Sequence, residues 1–207
     1  GQDYALRTIL AMLKNGDKEP PQEFIDSIGA LLEYALSDES DKALMARALT
    51  LPSIGVVIQH SKPADPVAID GVIDAIRRAI KREHKATLQK IYKANTQSGD
   101  YQITPEAMGQ RALRNVMLGL MTSTRGTGCA TFATEHYETA NNMTDRIAGL
   151  ATLLENKNAD RDTALADFYA RYKNYPLVMD KWFSVQAAAD RDDIFEQLEK
   201  LKAHPDF

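Results

Sequence analysis

Histidine and cysteine are the side chains best suited to hold a metal or to act as a nucleophile. This chain has His60, His84, His136, His204 and a single cysteine, Cys129. A zinc helix of the form H-E-x-x-H sets two ligands four residues apart on one face, and no such pattern occurs. Glu135, His136 and Glu138 crowd together, but no second ligand stands three or four residues from His136. His84 continues a stripe of isoleucines and reads as a partly buried, hydrogen-bonded ring. His60 and His204 fall near helix ends, where a cation is mildly favoured. Cys129 has no base beside it and reads as a buried, inert thiol. Thr124 to Cys129 faintly suggests a phosphate loop, yet the lysine, a further glycine and a preceding strand are missing. No catalytic residue and no metal ligand is assigned.

Charged and aromatic clusters invite other chemistry. Arg77, Arg78, Lys81, Arg82 and Lys85 lie together, interleaved with Asp74 and Glu83 and without aromatics, so they read as a solvated helix face. In R-A-L-R-N, the forks of Arg111 and Arg114 beside Asn115 suit tying helices together through carbonyls or carboxylates, or lining a pocket. Trp182, with Val178, Phe183 and Val185, makes an apolar face and reads as a core anchor. Asn142-Met143-Thr144 matches a glycosylation acceptor, but Asn142 three residues before Asp145 fits a helix start better.

The elements that must position these residues are helices. Leu6, Ile9, Leu10 and Leu13 recur at helical spacing, as do Phe24, Ile28, Leu31, Leu32 and Ala35. Longer stripes run Ile69, Val72, Ile73, Ile76, Ile80, His84, Leu88, Ile91, and Met108, Ala112, Leu113, Val116, Met117, Leu120. Another is Met143, Ile147, Leu150, Leu153, Leu154. Pro21 and Pro66 suit a first helical position, with Asp65 as an N-cap, and Thr104-Pro105-Glu106 repeats that pattern. Gly16-Asp17, Ser98-Gly99-Asp100 and Arg125 to Gly128 mark turns. No period-2 run is long enough for a strand. The expectation is an all-α fold, a right-handed superhelix or α-solenoid of stacked antiparallel helix pairs, with roughly ten or eleven helices. No Pro-, Gly- or Ser-rich linker interrupts it, so residues 1–207 are expected to form one domain.

Composition narrows the function classes. The 207 residues carry a formal charge of −4, with 44% hydrophobic and 26% charged residues. That is ordinary globular usage, long enough to bury roughly 70% of its unfolded surface. The acidic balance argues against a nucleic-acid partner. No apolar run approaches the ~20 residues that span a bilayer, so no membrane partner is expected. One cysteine excludes an internal disulfide and fits a reducing compartment, which gives an expected cytoplasmic location. The start, Gly1-Gln2-Asp3-Tyr4, has neither Met nor a basic run and reads as a cut end.

Several separated motifs then align with one family. A-L-T-L-P-S (Ala48 to Ser53), D-P-V-A-I (Asp65 to Ile69) and R-A-L-R-N (Arg111 to Asn115) resemble segments of the aminopeptidase N, or alanyl aminopeptidase, family of zinc metallopeptidases. A-N-N-M-T-D (Ala140 to Asp145) and P-L-V-M-D-K-W-F-S-V-Q-A (Pro176 to Ala187) resemble its most recognisable C-terminal helical motifs. Arg111, Arg114, Asn115, Asn142, Asp145, Asp180, Lys181 and Trp182 carry this structural signature. The resemblance implies a part of the helical domain that curls over the active site and limits access to peptide N-termini. It also implies a separate thermolysin-like catalytic domain holding zinc, H-E-x-x-H and G-A-M-E-N. None of those motifs is present here, nor is the N-P-N-R that follows in the family with its later cap arginines. The expected function is therefore a non-catalytic cap piece with no cofactor of its own, docked on the catalytic domain of its parent chain and facing peptide substrates. Self-association through an exposed apolar face is expected for such a piece. A freestanding α-solenoid that binds a protein or peptide is the alternative. A small helical enzyme with a carboxylate site is the third reading, but its acidic residues distribute as solvated faces and caps.

Overall fold

A computed structural model of the chain describes residues 1–122, 127–155 and 159–207, without the side chains of 127–129 and 159. Of the phosphate-loop reading of Thr124 to Cys129 and the turn read at Arg125 to Gly128, residues 124–126 lie outside what is described while Thr127 and Gly128 begin a helix, and the side chain of Cys129 lies outside it too. Eleven helices and no strand occur among the described residues. They fall into two compact units, Gly1–Thr124 and Arg125–Phe207.

The first unit holds α1 (Gln2–Asn15), α2 (Gln22–Leu36), α3 (Lys42–Leu49), α4 (Ile54–His60), α5 (Pro66–Ala94) and α6 (Pro105–Thr122). The long α5 lies centrally, packing against α1, α2, α4 and α6, while α3 closes against α2 and α6. Its isoleucine stripe explains this position. Ile69, Ile73, Ile76, Ile80, Leu88 and Ile91 are almost wholly buried, and the basic residues between them face outward. Asp65 starts the helix by accepting from the backbone N–H groups of Val67 and Ala68 at 3.0 and 3.1 Å, with Pro66 at the first helical position. Thr104 caps α6 by accepting from Ala107 N–H at 3.2 Å. Gly16 ends α1 in the left-handed region at φ 73°, where a side chain would be strained.

Three details depart from the sequence pattern. Pro21 is the residue before α2 rather than its first residue, with ψ of 139°, and the helix begins at Gln22. In α1 the buried face centres on Ala5, Thr8, Ile9 and Met12, while Leu6, Leu10 and Leu13 are half-buried. In α6 the stripe rotates further. Met108 is 55% exposed and Ala112 is exposed, whereas Arg111 and Arg114 are buried. Arginines can take those places because each finds partners for its guanidinium, as described below.

The second unit holds α7 (Thr127–Thr139), α8 (Met143–Leu154), α9 (Ala159–Tyr172), α10 (Pro176–Ala187) and α11 (Ile194–Lys202). Helices α7 and α8 pack side by side, α9 and α10 pack on α8, and α11 packs on α10. Their core includes Tyr137, Leu150, Leu153, Leu154, Phe168, Met179, Trp182 and Leu201.

Candidate functional site

The turn between α7 and α8 gathers the densest set of buried polar groups. Asn142 caps α8, its side-chain oxygen accepting from the backbone N–H of Asp145 at 2.9 Å. Asp145 answers, but through its side chain: its carboxylate accepts from the Asn142 amide at 3.1 Å. The capping-box reading holds, with the reciprocal bond moved from the Asn142 backbone to its amide. Arg146, 8% exposed, turns back onto the preceding helix. It donates to the carbonyls of Tyr137 and Ala140, which the end of α7 leaves without helical partners. Its guanidinium also lies 5.4 Å from the centre of the Tyr137 ring.

The network continues into α9. The Tyr137 hydroxyl donates to Asp167 at 2.7 Å, and Arg171 Nε donates to the same carboxylate at 2.7 and 2.9 Å. Burial, with the Asp167 charge beside it, pushes the Tyr137 hydroxyl well above its ordinary value. For Asp167, burial works upward, but the hydrogen bonds from Arg171 and Tyr137 outweigh it and hold the carboxyl below its ordinary value. Residues of α7, α8 and α9 are thereby joined by one charged chain.

His136 belongs to the same place and escaped the sequence pattern. It is fully buried, with Nε2 3.9 Å from Asp145 Oδ1, while Glu135 and Glu138 point to solvent. The signal was present: Ala133, His136, Tyr137 and Ala140 recur at three and four residues and are all buried. The adjacent glutamates drew attention to a ligand pattern instead.

The other signature residues divide between holding and facing outward. Trp182 is 7% exposed and donates Nε1–H to the Leu165 carbonyl at 3.1 Å, the anchor its surroundings suggested. Asp180 and Lys181 beside it are exposed. Arg111 donates to Gln97 Oε1 at 2.8 Å and to the Gln102 carbonyl at 2.9 Å, and its guanidinium lies 4.8 Å from the Tyr101 ring centre. Arg114 donates to the Tyr92 hydroxyl at 3.1 Å. Both arginines thus tie α6 to α5 and its following loop. Asn115 does not join them: its buried Oδ1 has no hydrogen-bond partner among the described residues.

The remaining histidines are separately occupied. His84 Nε2 donates to the Ile25 carbonyl at 3.1 Å, and His60 Nδ1 lies 2.9 Å from the Val56 carbonyl within α4. His204 packs against the rings of Tyr169, Trp182 and Phe183 at centre distances of 5.2, 5.4 and 5.5 Å, and accepts from Asp206 N–H. Among the described residues no three His, Cys, Asp or Glu side chains converge as metal ligands. They do not fit a zinc site. No helix among them is long and apolar enough to cross a membrane.

Comparison with known proteins places this scaffold. The family described as "Domain of unknown function (DUF3458_C) ARM repeats" matches residues 1–207. Aminopeptidase N of Escherichia coli strain K12 is 32% identical over 187 residues, covering 90% of this chain and 21% of that protein. Aminopeptidase N of Caulobacter vibrioides is 30% identical over 208 residues, covering all of this chain and 24% of that protein. Among solved structures, Legionella pneumophila aminopeptidase A, in complex with aspartic acid, superposes with a TM-score of 0.84 at 26% identity, over 99% of this chain and 25% of its own. The chain thus spans between a fifth and a quarter of the length of these relatives. With stacked helices, a family match from end to end and relatives that are aminopeptidases, the chain belongs to the DUF3458_C ARM-repeat family, the C-terminal helical domain of the aminopeptidase N family.

Proposed function

We propose that this chain serves as the non-catalytic cap of a zinc-dependent aminopeptidase, shaping the chamber that admits peptide N-termini and docking on a separate catalytic domain. The observation that carries this reading is the match to aminopeptidases over 89 to 100% of the chain but only 21 to 24% of their length. The buried network at α7–α8–α9 supports it too, because its polar groups are spent on joining helices. Zinc chemistry belongs, on this reading, to the rest of the longer protein, and residues 1–207 act as one domain within it. The lone cysteine supports a cytoplasmic setting. Self-association of the isolated chain through exposed apolar side chains is part of the same reading, and Val67, Leu177 and Phe195, each at least 80% exposed, are candidates for it.

Two measurements test the reading. The pure 207-residue chain should release nothing from an alanyl chromogenic substrate, with or without a chelator. Robust, chelator-sensitive release would overturn it. In a full-length relative, deleting the matching region should relax discrimination against long peptides relative to dipeptides. An unchanged length preference in a folded, active deletion variant would count equally against it.

A further inference from the structure

An open groove of about 350 Å³ lies between the end of α5, the loop after it and the first turns of α6. Gln97, Asp100, Gln102, Thr104, Glu106 and Gln110 contribute to its lining. The wall is braced from below. Arg111, 3% exposed, holds Gln97 and the Gln102 carbonyl, and the Gln97 amide donates in turn to the Ala107 carbonyl at 2.9 Å and to Gln110 Oε1 at 3.1 Å. Arg111 faces those partners, so the charges presented by the groove are the carboxylates of Asp100 and Glu106. Among the described residues no Lys, Arg or His side chain lines it.

The flank of the groove is apolar. Asp100, Gln102 and Thr104 line it, while Tyr101 and Ile103 between them are 47 and 75% exposed. Ile103 directly precedes the N-cap Thr104, and Met108, 55% exposed, stands four residues beyond that cap. These two positions adjoin at a helix start, where such a pair commonly forms a staple. Here both side chains are open to solvent.

We propose that this groove docks an extended, positively charged peptide segment. A lysine ammonium or arginine guanidinium would donate to Asp100 and Glu106, making charge-assisted bonds. Neighbouring apolar side chains of the same segment would lie on Ile103 and Met108. The sign of the lining selects against acidic segments, since like charges repel. No catalytic domain is required for this docking.

The test is a calorimetric titration of the 207-residue chain with Ala-Ile-Lys-Ala-Arg-Ala and with Ala-Ile-Glu-Ala-Glu-Ala. The basic peptide should saturate one site with a dissociation constant of about 0.1 to 1 mM. The double variant D100N/E106Q should weaken it tenfold or more, and I103S several-fold. Raising salt to about 0.5 M should weaken wild-type binding similarly. Equal binding of the acidic peptide, affinity indifferent to salt and to the double variant, or no saturation by ~5 mM would each overturn the proposal. Should the double variant fail to fold, the salt series and the acidic peptide still decide.

Discussion

The His84 ring occupies the space in which a side chain on Gly29 would stand: a Cβ built there would lie 2.6 Å from His84 Cε1. The same ring donates to Ile25 one turn earlier on α2, and His84 itself departs from helical geometry at φ −117°, ψ 17°. The kink in α5 and the bare position on α2 are two sides of one contact. Gly29→Ala should therefore destabilise by about 1 to 3 kcal/mol through overpacking, although alanine is the better helix former. The double variant G29A/H84A should recover part of that loss. Urea melts of the four proteins in the cycle check this, and strict additivity would refute the contact.

Gly149 is under a harder constraint. A Cβ there would meet the backbone nitrogen of Tyr137 at 2.8 Å, so α7 and α8 would have to separate. No side chain can turn aside to relieve that contact. Gly149→Ala should cost more than Gly29→Ala, and no single substitution at Tyr137 should rescue it. Thermal melts of both variants provide the comparison.

At the α8 cap, ordinary preferences should invert. Aspartate and serine generally cap about as well as asparagine. Here the Asn142 amide also donates to the Asp145 carboxylate. Asn142→Asp would replace that bond with two facing carboxylates, so it should be more damaging than Asn142→Ser near neutral pH. Asn142→Ala should lose about 1 kcal/mol, lowering the melting temperature by roughly 2 to 4 °C. Melting temperatures equal for N142D and N142S would overturn the pairing.

The Tyr137–Asp167–Arg171 chain predicts pH dependence at both extremes. Asp167 is held below its ordinary value, so its contribution is present above about pH 4 and disappears as pH falls through the lower folded value. Tyr137 is raised, so its contribution is present below about pH 10 and disappears as pH rises toward the folded value. Asp167→Asn should cost about 1 to 2 kcal/mol at neutral pH, flatten the acid limb of the stability profile and reduce the alkaline limb in part, because burial is the main cause of the Tyr137 shift. A variant that keeps the wild-type acid and alkaline slopes would show that other groups set them.

What the sequence made legible follows from the range of the forces involved. The α5 stripe and the caps at Asp65, Thr104 and Asn142 depend on residues within a turn or two, and all appear where the pattern places them. The buried Arg111 and Arg114 do not follow the apolar pattern. Their partners, Gln97, Gln102 and Tyr92, lie 9 to 22 residues away, so burial there answers to tertiary contacts. His136 is a different case: its spacing with Ala133, Tyr137 and Ala140 is local and marks it as buried, and only its neighbour Asp145 comes from the next helix. The groove beside α6 was not visible at all, because its lining comes from a loop whose residues have no helical period.

Trp182 is the chain's only tryptophan, and it sits in the core of residues 125–207. Intrinsic emission therefore reports on that half of the molecule, whereas helical circular dichroism sums over both. One pair of denaturation curves, without any label, can resolve whether the two units lose structure together or in succession. Coincident midpoints would mark a single cooperative body, and separated midpoints would give each unit a stability of its own.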